Sequence, residues 1–230
     1  MQKIYFCWIL LFIVAMSSCK KKTFTPELNI SDRNYFPLWV GKYIIYDVDS
    51  IVYSSFFSRT DSFHYQIQEL IDTAFTDGSA NTVYRIVRSK RNDETSAWNV
   101  TDIWSASLTA NSAEKVEENL RFIKLVFPIF LNESWKGNSK ILIDSSTDYL
   151  SDWNYEYTSV NVTSAINSFT FDSTVTVLQH DDENAIQKIF YEEKYAKGVG
   201  LIYKEAAHIE TQPGSYPDGT VYRMSIKEFN

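Results

Sequence analysis

The chain has 230 residues and a formal net charge of −7. That acidic balance argues against nucleic acid as a partner, because a phosphate backbone is met by clustered Lys and Arg. Its two cysteines, Cys7 and Cys19, both lie in the first 19 residues, so the remainder has no thiol for a disulfide, a thiolate metal site or a cysteine nucleophile.

Met1-Gln2-Lys3 opens the chain, an apolar run extends from Ile4 to Met16, and Ser17-Ser18-Cys19 follows. A short cationic start, about a dozen apolar residues and small residues before a cut describe a secretory signal. The run is shorter than the roughly 20 apolar residues that a spanning helix needs. Ser17-Ser18-Cys19 resembles the lipobox of bacterial lipoproteins, with Met16 and Ser18 standing where leucine and a smaller residue are usual. The resemblance implies a signal peptide over residues 1–18 and acylation of Cys19, which becomes the first mature residue. Two or more acyl chains on one residue make a stable membrane anchor. Loss of Lys3 with the signal takes the mature charge from −7 to −8. Lys20-Lys21-Lys22 sits directly after the anchor, where each lysine gains about 1 kcal/mol against anionic headgroups. Lys20 is not the aspartate that resembles an inner-membrane retention signal, which implies the outer membrane. A basic rather than acidic run after the cysteine implies a domain facing the periplasm.

Residues 19–34 show no regular pattern and contain Pro26, as expected of a lipidated tether. From Tyr35 alternation dominates, broken by turn residues, which predicts antiparallel strands in one domain over residues 35–230. The clearest strand spans 42–53. One of its faces carries Tyr43, Ile45, Ile51 and Tyr53, the other Ile44, Tyr46, Val48 and Val52, so both sides of the sheet need a cover. Strands are also predicted over 63–70, 82–89, 98–108, 153–162, 169–179, 185–195, 200–209 and 220–229. Residues 112–127 read either as a helix through Val116, Leu120, Ile123 and Phe127 or as two short strands, the latter favoured; Pro128 ends either. The expected fold is mainly β, a curved antiparallel sheet or a two-layer sandwich, with room for one short helix.

Several segments then resemble a group of uncharacterised Bacteroidota lipoproteins. They are Tyr35-Phe36-Pro37-Leu38-Trp39-Val40-Gly41, Lys124-Leu125-Val126-Phe127-Pro128, Trp135-Lys136-Gly137-Asn138, Thr174-Val175-Thr176-Val177-Leu178-Gln179, and the run from Tyr195 through Gly198, Gly200 and Lys204 to Glu205. The resemblance implies an envelope lipoprotein and brings no catalytic residues with it. Read physically, the segments are structural: Gly198 and Gly200 supply positive φ where a strand begins, and Trp135 caps a core.

Motifs for chemistry are sparse. His64, His180 and His208 are far apart, and His180-Asp181-Asp182-Glu183-Asn184 lacks the spacing of a calcium loop and reads as a solvated hairpin turn. Ser112-Ala113-Glu114-Lys115 matches Ser-x-x-Lys without its companion Lys-Thr-Gly. Asp47 and Asp49 share a strand face, whereas Glu192 and Glu193 do not. No metal, cofactor or catalytic residue is expected. The expected function is a non-enzymatic binding or structural module of the envelope, held to the membrane through Cys19 and meeting an envelope protein. The alternative is a carrier or receptor for a hydrophobic, lipid-like ligand.

Overall fold

The computed structural model describes residues 30–230. The proposed signal, Cys19 and Lys20-Lys21-Lys22 lie outside them. Twelve strands form one antiparallel sheet: β1 Tyr43–Ser54, β2 Arg59–Thr76, β3 Thr82–Arg91, β4 Asn99–Leu108, β5 Ser112–Glu117, β6 Leu120–Val126, β7 Ser134–Trp135, β8 Tyr155–Ile166, β9 Phe169–Glu183, β10 Gln187–Ala196, β11 Gly200–Glu210 and β12 Asp218–Phe229. Each strand pairs with its sequence neighbours, β1 also pairs with β12, and only β6 and β7 lack a ladder between them. The sheet is therefore an up-and-down meander curled into a near-barrel.

Closure replaces the second sheet of a sandwich and covers one face of β1; on the other, where a cover is also expected, Ile51 and Tyr53 are only half-buried. Tyr46 and Val48 are buried beside Ile67, Met224 and Ile226, while Asp47 and Asp49, on the opposite face, bond to Gln66 and His64. Further charged pairs, Asp72 with Arg85 and Glu205 with Arg223, decorate the outside.

Residues 112–127 form the two strands rather than the helix. Glu117 pairs with Leu120, and the intervening Glu118 and Asn119 take φ of 49° and 65°. Two successive left-handed residues make the hairpin turn whose twist matches its strands. The predicted turn over 180–184 is corrected: β9 continues through Glu183, because His180, Asp181, Asp182 and Glu183 all pair with β10.

The β6–β7 seam is held by a few specific bonds. Ile123 N–H donates to Gly137 O (2.7 Å), and Trp135 Nε1–H to Ile123 O (2.9 Å). The Tyr157 hydroxyl accepts from Val126 N–H (3.0 Å) and donates to Val126 O (2.9 Å). Trp135 lies over both Tyr155 and Tyr157. Gly137 is required here, since a Cβ would enter the Tyr155 ring.

The described residues begin inside the segment read as tether. Helix α1, a single turn over Ile30–Arg33, is pinned by Asp32, which accepts from Ile129 N–H (3.0 Å), and by Arg33, which donates to Thr109 O. Asn34 O accepts from Gly198 N–H (2.7 Å), and the Tyr35 hydroxyl meets Asn161 and Ser173. Thr109, Ile129 and Gly198 belong to connections at one end of the barrel, so residues 30–42 lie across that end as a plug. Polar side chains in 30–34 hide this from periodicity, because each acts by capping a connection rather than by burial. Gly41, at φ +93°, turns the plug into β1.

Tyr157→Phe should loosen the seam. It leaves the Val126 amide and carbonyl unpaired at a cost of about 1–3 kcal/mol, with faster amide exchange at Val126 and Ile123 than in β1 as the measurement.

Candidate ligand-binding lumen

Inward positions of the meander are not uniformly apolar. Glu69, Arg88, Lys115, Glu117, Lys124, Glu193 and Lys204 form a charged layer across the lumen. The Lys124 ammonium, 3% exposed, lies 3.2 Å from Glu117 and 3.0 Å from Glu193. Lys204 lies 3.1 Å from Glu193 and 3.9 Å from Glu117. Lys115 contacts Glu69 at 2.9 Å and Glu117 at 3.3 Å. Arg88 reaches Asp102 at 3.4 Å and Glu69 at 3.7 Å, and donates to the Tyr222 hydroxyl at 3.2 Å. The Tyr195 hydroxyl donates to Glu193. Trp104 receives Arg88 and Lys115 over its ring at 4.5 and 4.7 Å.

The electrostatic result is a set of locked charges. Burial alone would raise the Glu193 carboxyl, but Lys124 and Lys204 overcome it and hold it down at about 2. Glu117 follows the same logic: burial pushes up, and Lys124, Lys204 and Lys115 bring it well below the usual carboxylate range. Burial lowers the Lys124 ammonium, yet Glu117 and Glu193 raise it above its ordinary value.

Cavities lie on both sides of this layer. The upper one, about 230 Å³, sits at the end bearing the Glu118-Asn119 turn and residues 136–154, opposite the plug. Its walls are Trp104, Phe122, Tyr149, Trp153 and Tyr191, and its floor holds Lys124, Lys204 and Gln179. Trp153 packs on Tyr191 at 4.5 Å and stacks on His180 at 5.1 Å. Gln179 is 3% exposed, and its Nε2 has no hydrogen-bond partner. A middle cavity of about 200 Å³ adjoins Arg88, Trp104 and Tyr222, where Arg88 Nε is likewise unpartnered. Below the layer, a cavity of about 60 Å³ lies between the plug residues Phe36, Pro37 and Leu38 and the side chains of Lys42, Ile71 and Ile86.

Several sequence-derived candidates are placed apart. The Ser112 hydroxyl bonds to Thr109 and Glu114 while Lys115 turns to Glu69, so Ser-x-x-Lys assembles no dyad. His64 pairs with Asp49 on the outer face, and His208 lies near Glu210. By contrast, the segments that carried the family resemblance come together. Phe36 to Leu38, Lys124, Tyr195, Gly200 and Leu201 line the lower cavity; Lys124, Gln179 and Lys204 line the upper one. Gly198 and Gly200 have φ of 82° and 101°. The charged layer escaped the sequence reading. Its signal is a charge in step with inward aromatics and aliphatics, as in Tyr191-x-Glu193-x-Tyr195 and Ile67-x-Glu69-x-Ile71.

No protein-family model matches the chain, and no curated protein matches it. Among solved structures, it is similar to a protein of Parabacteroides distasonis ATCC 8503 described provisionally as a lipoprotein. The two share 11% identity over 85% of this chain and 98% of that one, with a TM-score of 0.36. A superposition that loose fixes neither fold nor function.

Two outcomes are expected of the charged layer. Depressed carboxyls contribute stability that is complete above their unfolded value near 4.5 and is lost as pH falls toward the folded value, about 2 for Glu193. Melting temperature should therefore drop as pH is lowered through that window. Glu193→Gln removes the anion shared by Lys124 and Lys204 and should cost about 3–5 kcal/mol in denaturant unfolding at pH 7.

Proposed function

We propose that this chain is an exported, lipid-anchored envelope protein that binds a ligand in the upper cavity of its barrel. The reading is carried by Gln179, an amide 3% exposed and unpartnered at Nε2, in a cavity walled by aromatic rings. Buried polar groups are almost always paired, and a concave apolar site with a few fixed polar groups is the usual form of a ligand pocket.

The walls and the floor set the ligand's character. Trp104, Trp153 and Tyr191 favour a ring or other flat apolar body, while Gln179 and Lys204 favour hydrogen-bond acceptors. A wholly apolar lipid would strip water from Lys204 and Glu117 without replacing it, which is costly. An amphiphile with a polar end satisfies both parts, so the carrier alternative narrows to ligands of that kind. Glu117 and Glu193 are held ionised and Lys124 protonated, which suits binding rather than proton transfer near neutral pH. We therefore read the protein as non-enzymatic.

Acylation of Cys19 supplies the anchor in this reading. The chain enters the barrel at its plugged end, so the anchor holds that end toward the bilayer and leaves the upper cavity facing away. Sorting to the outer membrane and a periplasmic orientation follow from Lys20-Lys21-Lys22 in place of an aspartate or an acidic run.

Two variants test the parts separately. Cys19→Ala in the full chain should abolish incorporation of labelled fatty acid; undiminished labelling would remove the anchor. Gln179→Leu should lose the small molecule that native mass spectrometry finds on wild-type protein from its host. Because the substitution removes an orphaned amide, the empty barrel should be unchanged or more stable by about 1 kcal/mol. Equal ligand retention in both proteins would remove the upper cavity as the site.

A further inference from the structure

Lys42 is 6% exposed and differs from every other luminal cation. Arg88, Lys115, Lys124 and Lys204 each have a carboxylate within 4.0 Å; among the described residues Lys42 has none, and its ammonium lies 5.6 Å from the centre of the Trp39 ring. At the lower cavity Lys42, Lys115 and Lys124 face Glu69, Glu117 and Glu193. Each of these carboxylates is engaged by another cation within 3.3 Å, which leaves Lys42 without one of its own among the described residues. A buried, unpaired ammonium is strongly unfavourable unless an anion meets it.

We propose that the lower cavity is a binding site for a short aliphatic monocarboxylate, whose carboxylate pairs with the Lys42 ammonium. The cavity's about 60 Å³ is room for roughly four to six waters, a size that matches acetate to butyrate. Phe36, Pro37, Ile44, Ile71 and Ile86 offer an apolar wall to the alkyl part. The charge selects the headgroup. One unmatched cation takes one negative charge, and Glu69, Glu117 and Glu193 at the same cavity repel a dianion such as phosphate. The hydroxyls that reach the cavity are already committed, Tyr46 to Leu201 O and Tyr195 to Glu193. Gly200 keeps the approach open: the position of a Cβ there would lie 3.8 Å from Lys42 Nζ, and the glycine holds φ +101°.

Proton linkage gives the site a signature. Burial lowers the Lys42 amine to about 8, Glu69 opposing and Lys115 assisting that shift. The other groups facing it are Glu117 on β5, Lys124 on β6, and Glu193 and Tyr195 on β10. None of these titrates near pH 8: the carboxyls are held ionised, Lys124 protonated and Tyr195 neutral. A bound carboxylate raises the Lys42 amine again. Affinity should therefore be constant below about pH 8 and fall roughly tenfold per unit above it, with proton uptake on binding near that pH.

Isothermal titration of the full chain with butyrate, acetate, chloride and butyramide, in two buffers of different ionisation heat, tests this. Butyrate should bind at one site, at least tenfold more tightly than butyramide or chloride, with a buffer-dependent heat near pH 8. Lys42→Met should melt at a higher temperature than wild type and bind no butyrate. Gln179→Leu should bind butyrate as wild type does, which separates this site from the upper cavity. Equal affinity for chloride would reduce the site to a counter-ion position, and equal affinity for butyramide would remove the role of charge. Butyrate binding by Lys42→Met would overturn the assignment.

Discussion

Charges buried at the centre of a barrel constrain everything built around them. An ion pair taken out of water is compensated only when geometry is good and each partner is met on more than one side. Glu193 meets that condition through Lys124, Lys204 and the Tyr195 hydroxyl, which come from β6, β11 and β10. β6 lies on the far side of the unladdered seam from β7, so Lys124 holds charges of one edge against strands of the other half. The Ile123–Gly137, Trp135–Ile123 and Tyr157–Val126 bonds then need only fix register. A purely hydrophobic lumen of twelve strands would have to be filled with side chains throughout, since larger barrels leave interior space. The charged layer spans that width with long side chains and leaves cavities above and below it.

The strand pattern was legible where alternation is clean, as in Phe63 to Gln68 of β2, and where nothing local competes. Residues 112–127 were ambiguous because Glu114, Lys115 and Glu117 look like a solvated helix face. In the barrel Glu114 and Lys115 are 2% and 6% exposed; Glu114 is met by Arg121 on the next strand and by Lys140 in the β7–β8 connection, and Lys115 by Glu69 on the distant β2. The centre of the site was illegible for a related reason. Its members come from β2, β3, β5, β6, β10 and β11, so no strand supplies more than two of them. Bulges at Asp72 in β2, Thr101 in β4 and Ile202 in β11 reset the inward parity of those strands as well. Parity counted from Gly200 or Leu201 therefore fails beyond Ile202, where Lys204 lies. Net charge misleads in the same way, because the −7 of the chain gives no sign of the cations gathered in its lumen.

The plug was missed at the sequence level for a different physical reason. Its residues do not repeat; each satisfies one backbone group or fills one space at the barrel's end. Asp32 caps the Ile129 amide, Asn34 takes the Gly198 amide, and Tyr35 and Phe36 fill the core at 1% and 8% exposure. Such a segment has no period, yet it is as ordered as a strand.

The plug and the lower cavity are mechanically one unit. Gly41 N–H donates to Ile71 O and Ile71 N–H to Lys42 O, both at 2.8 Å, so the end of the plug is stitched into β2 where the ionic layer begins. Lys42 lines the cavity with Leu38 and immediately precedes β1, while Glu69 lies two residues before Ile71 on the facing strand. Any shift of residues 31–41 must therefore be transmitted to the position of the Lys42 ammonium. Conversely, an anion seated at Lys42 neutralises the one charge that disfavours burial of this corner, and so tightens the contact between the plug and β2. Occupancy of the lower cavity and the hold of the N-terminal segment on the barrel are then linked equilibria, each strengthening the other by the same free energy.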